Sequence, residues 1–118
     1  MVKTHRIATL YGRNGQAHAQ MTQISTKYAV VISQRGAKVG TRLEIEFEIP
    51  AFGEFKTLRL QAKVTESLIV NEGYRLTLEF ENIDSESLRA IKDFIAYKKR
   101  LHETSLHHTQ SASFSDLL

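Results

Sequence analysis

Period-two alternation through the middle of the chain constrains the fold more than any other feature. Leu43, Ile45, Phe47 and Ile49 are apolar, with Glu44, Glu46 and Glu48 between them. A strand points successive side chains to opposite faces, so this segment buries one face and wets the other. Pro50 is expected to end it, and Ala51-Phe52-Gly53-Glu54-Phe55 reads as the following turn. Leu58, Leu60, Ala62 and Val64 alternate again with Arg59, Gln61 and Lys63. Asn71-Glu72-Gly73 predicts a second turn. Tyr74, Leu76, Leu78 and Phe80 then supply the inner face of the next strand, completing a three-strand meander.

The upstream third carries a weaker signal of the same kind. Residues 5–12 and 16–24 flank Arg13-Asn14-Gly15, a hairpin turn because Asn-Gly tolerates positive φ. Tyr28 to Ser33 is a short β-branched run, followed by a loop punctuated by Gly36 and Gly40. About six short, evenly spaced strands predict a mainly β protein, a small antiparallel barrel or sandwich. The period then changes. Asp84 can cap a helix, with Ile83 packing on Leu88, and Leu88, Ile91, Phe94, Ile95 and Leu101 form one stripe. The pattern predicts a C-terminal α-helix from about residue 85 to 102. After it the composition turns to Ser, His, Thr and Gln, so 1–102 reads as the folded domain and 103–118 as a disordered tail.

A chain of 118 residues supports one domain, and the absence of cysteine excludes a disulfide framework, a thiolate zinc site and a cysteine nucleophile. No apolar run approaches the roughly 18 residues that a membrane span needs, and the first residues lack the apolar core of a secretory signal. The expectation is a cytoplasmic protein without membrane insertion. Its charge is uneven. Residues 1–43 hold seven basic groups (Lys3, Arg6, Arg13, Lys27, Arg35, Lys38, Arg42) and no acid, whereas the remainder carries a net −4. Such asymmetry points to an anionic partner, or to a solvated face that happens to be basic.

Nothing in the sequence supports catalysis. No nucleophile elbow, phosphate-binding loop or dinucleotide fingerprint is present. Glu44, Glu46 and Glu48 read as solvated charges on a strand face. His102, His107 and His108 lack the spacing that would place them on one helical face, so no metal site and no cofactor are expected.

The order of strands, with Gln23-Ile24-Ser25-Thr26-Lys27-Tyr28-Ala29, then Val39-Gly40-Thr41-Arg42-Leu43, then Gly73-Tyr74-Arg75-Leu76 running into Glu79-Phe80-Glu81-Asn82-Ile83, resembles the PilZ domain family. The resemblance covers about residues 3–100. It implies a six-stranded antiparallel β-barrel with a terminal helix, and cyclic di-GMP as a candidate ligand. The family's first motif, RxxxR, grips phosphate and stacks on guanine, work that suits a planar cation. Arg6 stands for its second arginine, but Val2 occupies the position four before it. The second motif, [D/N]xSxxG, is matched by Gln23 to Tyr28: Ser25 is kept, Gln23 replaces the acid, and Tyr28 stands where glycine admits close approach.

These departures imply a degenerate PilZ-like domain that is not an enzyme and works by protein–protein binding in cyclic di-GMP-linked regulation of motility, type IV pili or biofilm. The alternative is a cyclic di-GMP receptor using the basic first third, with Arg6, Gln23, Ser25, Lys27, Tyr28 and Arg35 as ligand-binding residues. In that case Lys27 and Arg35 should converge on one surface, because alternation places Gln23, Ser25 and Lys27 on one strand face. A second alternative, an OB-type binder of single-stranded nucleic acid, has Tyr11 and Tyr28 for stacking but an acidic strand nearby. Monomer and dimer both remain open, since Phe94 and Tyr97 can exceed what one barrel face covers.

Overall fold

The computed structural model describes the backbone of residues 1–117 and the side chains of residues 1–101. The helix was expected to end near residue 102, but it continues to Leu117; the side chains of residues 102–118, His102, His107 and His108 among them, lie outside those described. Six strands precede one helix: β1 (Val2–Gly12), β2 (Gly15–Ile24), β3 (Tyr28–Ser33), β4 (Arg42–Ala51), β5 (Glu54–Val70), β6 (Gly73–Glu81) and α1 (Ser85–Leu117). The strands close into an antiparallel barrel in the order β1-β2-β3-β6-β5-β4.

Closure depends on the length of β5. Its first half pairs with β4, from Ala51↔Glu54 to Arg42↔Lys63, and its second half pairs with β6, from Gln61↔Glu81 to Val70↔Gly73. This stagger is the tilt that a small barrel needs to close. The alternation read from the sequence then delivers the core. Ile45, Phe47, Ile49, Leu58, Leu60, Ala62, Val64, Leu76, Leu78 and Phe80 all point inward, joined by Ala8, Leu10, Met21, Ile24, Ala29 and Val31 from the first half. Register shifts between Lys3 and Arg6, Met21 and Gln23, and Val64 and Glu66 mark bulges that re-aim the chain where the barrel curves.

The strand ends also differ from the expectation. β4 does not end at Pro50 but runs through it to Ala51. The connection is the two-residue turn Phe52-Gly53, both at positive φ (54° and 79°), so Ala51↔Glu54 closes the hairpin. Pro50↔Phe55 is then a pair whose amide positions face away from the partner strand, and β1 pairs with β4 only as far as Phe47, so no ladder bond is lost. β5 also extends six residues past Val64, because β6 continues to pair with it beyond the bulge. In the first hairpin the positive φ falls on Gly15 rather than on Asn14.

β1 and β4 stop pairing beyond Ala8↔Phe47, and α1 packs there. Ala90, Ile91 and Phe94 are buried against the barrel, with Phe94 only 1% exposed. The helix starts where the sequence predicts: Asp84 Oδ2 accepts from the Ser87 amide at 3.0 Å. Its docking is fixed at the β4–β5 turn, where the Phe52 amide donates to Asp93 Oδ2 at 2.9 Å.

Candidate functional site

Four of the six residues singled out as ligand-binding cluster around the β2–β3 turn. Gln23 pairs across to Lys3 of β1 and Val30 of β3. The turn itself is built by Ser25. Its hydroxyl accepts from the Lys27 amide (3.2 Å) and the Tyr28 amide (3.0 Å), while its own amide donates to the Tyr28 carbonyl at 2.8 Å. A serine in this role substitutes for a backbone turn bond. Residues 25–27 are thus turn rather than strand, and the expected shared face of Gln23, Ser25 and Lys27 does not arise by alternation. Lys27 is exposed, and its carbonyl accepts from the Phe80 amide at 2.8 Å.

Tyr28 opens β3 directly opposite Glu79 of β6, and its phenol donates to Glu79 Oε2 at 3.0 Å. This hydrogen bond, reinforced by the carboxylate's charge, pushes the Tyr28 phenol above its ordinary value. The ring therefore lies along the outer sheet, with a carboxylate at its tip, where a glycine would leave open backbone. An incoming phosphodiester would meet negative charge there.

Arg6 stands within β1, opposite Met21, rather than on a free amino-terminal segment. Its guanidinium lies 5.8 Å from the Phe94 ring centroid and 5.9 Å from that of Phe55. Both distances are at the outer limit of a cation–π contact. The arginine is held at the seam where α1 meets the barrel.

Arg35 is elsewhere. It lies two residues past the end of β3, whose six residues begin at Tyr28. At about 3.3 Å per residue, Lys27 and Arg35 stand roughly 20 Å apart at opposite ends of that strand. The expected convergence of these two charges is not found. Arg35 instead lines a cleft of about 620 Å³ together with Arg13 of the β1–β2 turn and Arg42 at the start of β4. Sequence reasoning missed this grouping. The signal was present in the acid-free run of residues 1–43, but nothing local says that the β1–β2 turn and the β3–β4 loop meet. Among the described residues no group of three or more histidine, aspartate or glutamate side chains could hold a metal ion.

The outer face of β4 and β5 spends its charges on itself. Arg59 pairs with Glu44 at 3.0 Å and lies 3.9 Å over the Tyr11 ring, and Tyr11 donates to Glu46. Arg42 reaches Glu81 at 3.1 Å across β5. Glu44 and Glu46 are thus members of an ordinary surface network, as the alternation implied.

The family model of the PilZ domain matches residues 2–97. The chain belongs to this family. Among solved structures, the Bacillus subtilis inhibitor of motility, MotI/DgrA, superposes with a TM-score of 0.70 at 16% identity, covering 87% of this chain and 49% of that one. The chain thus spans about half the length of that protein and shares its fold. No curated protein matches the chain.

Proposed function

We propose that this PilZ domain is a non-enzymatic adaptor in cyclic di-GMP-linked regulation, acting by binding a protein of the motility, type IV pilus or biofilm machinery in the cytoplasm. The observation that carries the reading is the self-contained β2–β3 turn. Ser25, the one residue retained from the family's second ligand motif, already gives its hydroxyl to the Lys27 and Tyr28 amides. Tyr28 covers the position where glycine would admit a ligand and sets Glu79 beside it.

Magnitudes support the same reading. A hydrogen bond to a charged group contributes roughly 1.5–3 kcal/mol. Replacing an arginine by Val2 and an acid by Gln23 removes two such contacts, roughly 3–6 kcal/mol or about two to four decades of affinity. Titration calorimetry of the chain with cyclic di-GMP at physiological salt should show no saturation at low micromolar ligand. A clear low-micromolar isotherm would overturn the adaptor reading in favour of a receptor. That second reading draws on Lys27, which has no ion-pair partner among the described residues. The OB-type reading has no support from a six-stranded ring of this family.

A further inference from the structure

We propose that the cleft between the β1–β2 turn and the β3–β4 loop is an anion-binding site, taking a small phosphate-bearing ligand of nucleotide size between Arg13 and Arg35. The site is separate from the β2–β3 turn, at the other end of β3. Its volume of about 620 Å³ falls inside the range of small-molecule sites, roughly 300–1,000 Å³.

Charge is the first argument. Arg13, Arg35 and Arg42 all line the cleft, and no acidic residue does. Arg42 is neutralised by Glu81, but Arg13 and Arg35 have no ion pair among the described residues. Arg35 is directed at the hairpin: its Nη1 lies 3.8 Å from where a Cβ on Gly15 would stand. Two uncompensated guanidiniums facing the same concavity repel each other, and an anion between them relieves that repulsion.

Rigidity is the second. The buried Ser33 hydroxyl donates to the Arg35 carbonyl at 2.7 Å and accepts from its amide at 3.1 Å, which fixes the loop where it leaves β3. Gly36 lies against the Tyr74 ring so closely that a Cβ would come within 3.0 Å of it. On the other wall, the Gly40 amide donates to the Val64 carbonyl at 2.7 Å. The loop that carries Arg35 is therefore held on both sides, and preorganisation lowers the entropic cost of binding.

The lining sets the ligand class. Leu43 gives the cleft an apolar floor beside the arginines, backed by the buried Leu10 and Leu76. A floor of that kind accepts an uncharged body such as a nucleoside, while Asn14, Gln16 and Thr41 at the rim offer hydrogen bonds to it. Inorganic phosphate alone would satisfy the cations and leave the floor unused.

The test is calorimetric titration of the full chain with ADP, pyrophosphate and adenosine. ADP is expected to bind more tightly than pyrophosphate, adenosine should not bind, and the ADP affinity should fall as salt rises. The double variant Arg13→Gln/Arg35→Gln should weaken ADP about tenfold or more with an unchanged melting temperature, whereas Lys27→Gln should leave it unaltered. No ADP or pyrophosphate binding at millimolar ligand, or equal ADP binding by the double variant, would overturn the proposal. Cyclic di-GMP supplies the arm that separates the two readings. Binding of it that is lost in the double variant but kept in Lys27→Gln would support the cleft and defeat the adaptor reading.

Discussion

Gly73 adopts a φ of +139°, and a methyl group there would run into the Ser33 carbonyl oxygen of the neighbouring strand. The Asn71-Glu72-Gly73 turn was legible in the sequence, but the partner that forbids a side chain was not, because β3 lies forty residues upstream. Gly73→Ala is expected to cost roughly 2–4 kcal/mol, from backbone strain and overpacking together, measured by denaturant unfolding. Tyr28 offers a test that does not depend on stability. Its hydrogen bond to Glu79 favours the neutral phenol, so one tyrosine should titrate above the usual value near 10 in an ultraviolet pH titration. Glu79→Gln should bring that titration back towards the ordinary range. Because the folded value is raised, this contact's contribution to stability is complete below the unfolded pKa and is lost as pH rises through the folded one.

At the scale of elements, α1 shows how local and tertiary signals divide the work. Asp84 caps it, and hydrogen bonds from Ser87, hydroxyl first and amide second, hold the Asp84 carboxyl below its ordinary range. A lowered folded value means that the cap's contribution is present above the unfolded pKa and is lost as pH falls through the folded value, so below about pH 4. Asp84→Asn should keep the cap while flattening this acid limb of a melting-temperature profile; Asp84→Ala should lower the melting temperature at neutral pH. The helical stripe was readable from Leu88, Ile91, Phe94 and Ile95, but Leu101, read as its last member, is exposed. What the stripe covers was not readable. Phe94 fills the seam where β1 and β4 part, so Phe94→Ala should cost about 3–5 kcal/mol in denaturant unfolding. The misread end of β4 has the same origin. A proline usually stops a strand, and only the register shows that Pro50 sits where no ladder bond is required.

For the whole molecule, the described core is complete by Ile95: every buried apolar side chain belongs to the six strands or to the first turns of α1. Deleting residues 104–118 should therefore leave the thermal midpoint essentially unchanged. A fall of many degrees would show that Phe114, Leu117 or Leu118 contributes to the fold. The excess of positive charge in residues 1–43 is distributed by the barrel rather than gathered on one face. Arg6 goes to the helix seam, Lys27 to the β2–β3 turn, and Arg13, Arg35 and Arg42 to the cleft. Exposed charges further apart than about 8–10 Å are largely screened at physiological salt, so these groups act locally.

The existence of the strands, the helix start and the inward residues are legible locally, because each follows from a period of two or of about 3.6 within a few neighbouring positions. The departures from the family's ligand motifs at Val2, Gln23 and Tyr28 are legible in the same way, one residue at a time. Which of these residues meet is a matter of long-range pairing. Ring closure pairs β1 with β4 and β3 with β6, contacts separated by more than thirty residues that no local pattern encodes. That closure brings the Arg13 turn beside Arg35, parts Arg35 from Lys27 by the length of β3, and places Glu79 at the tip of Tyr28.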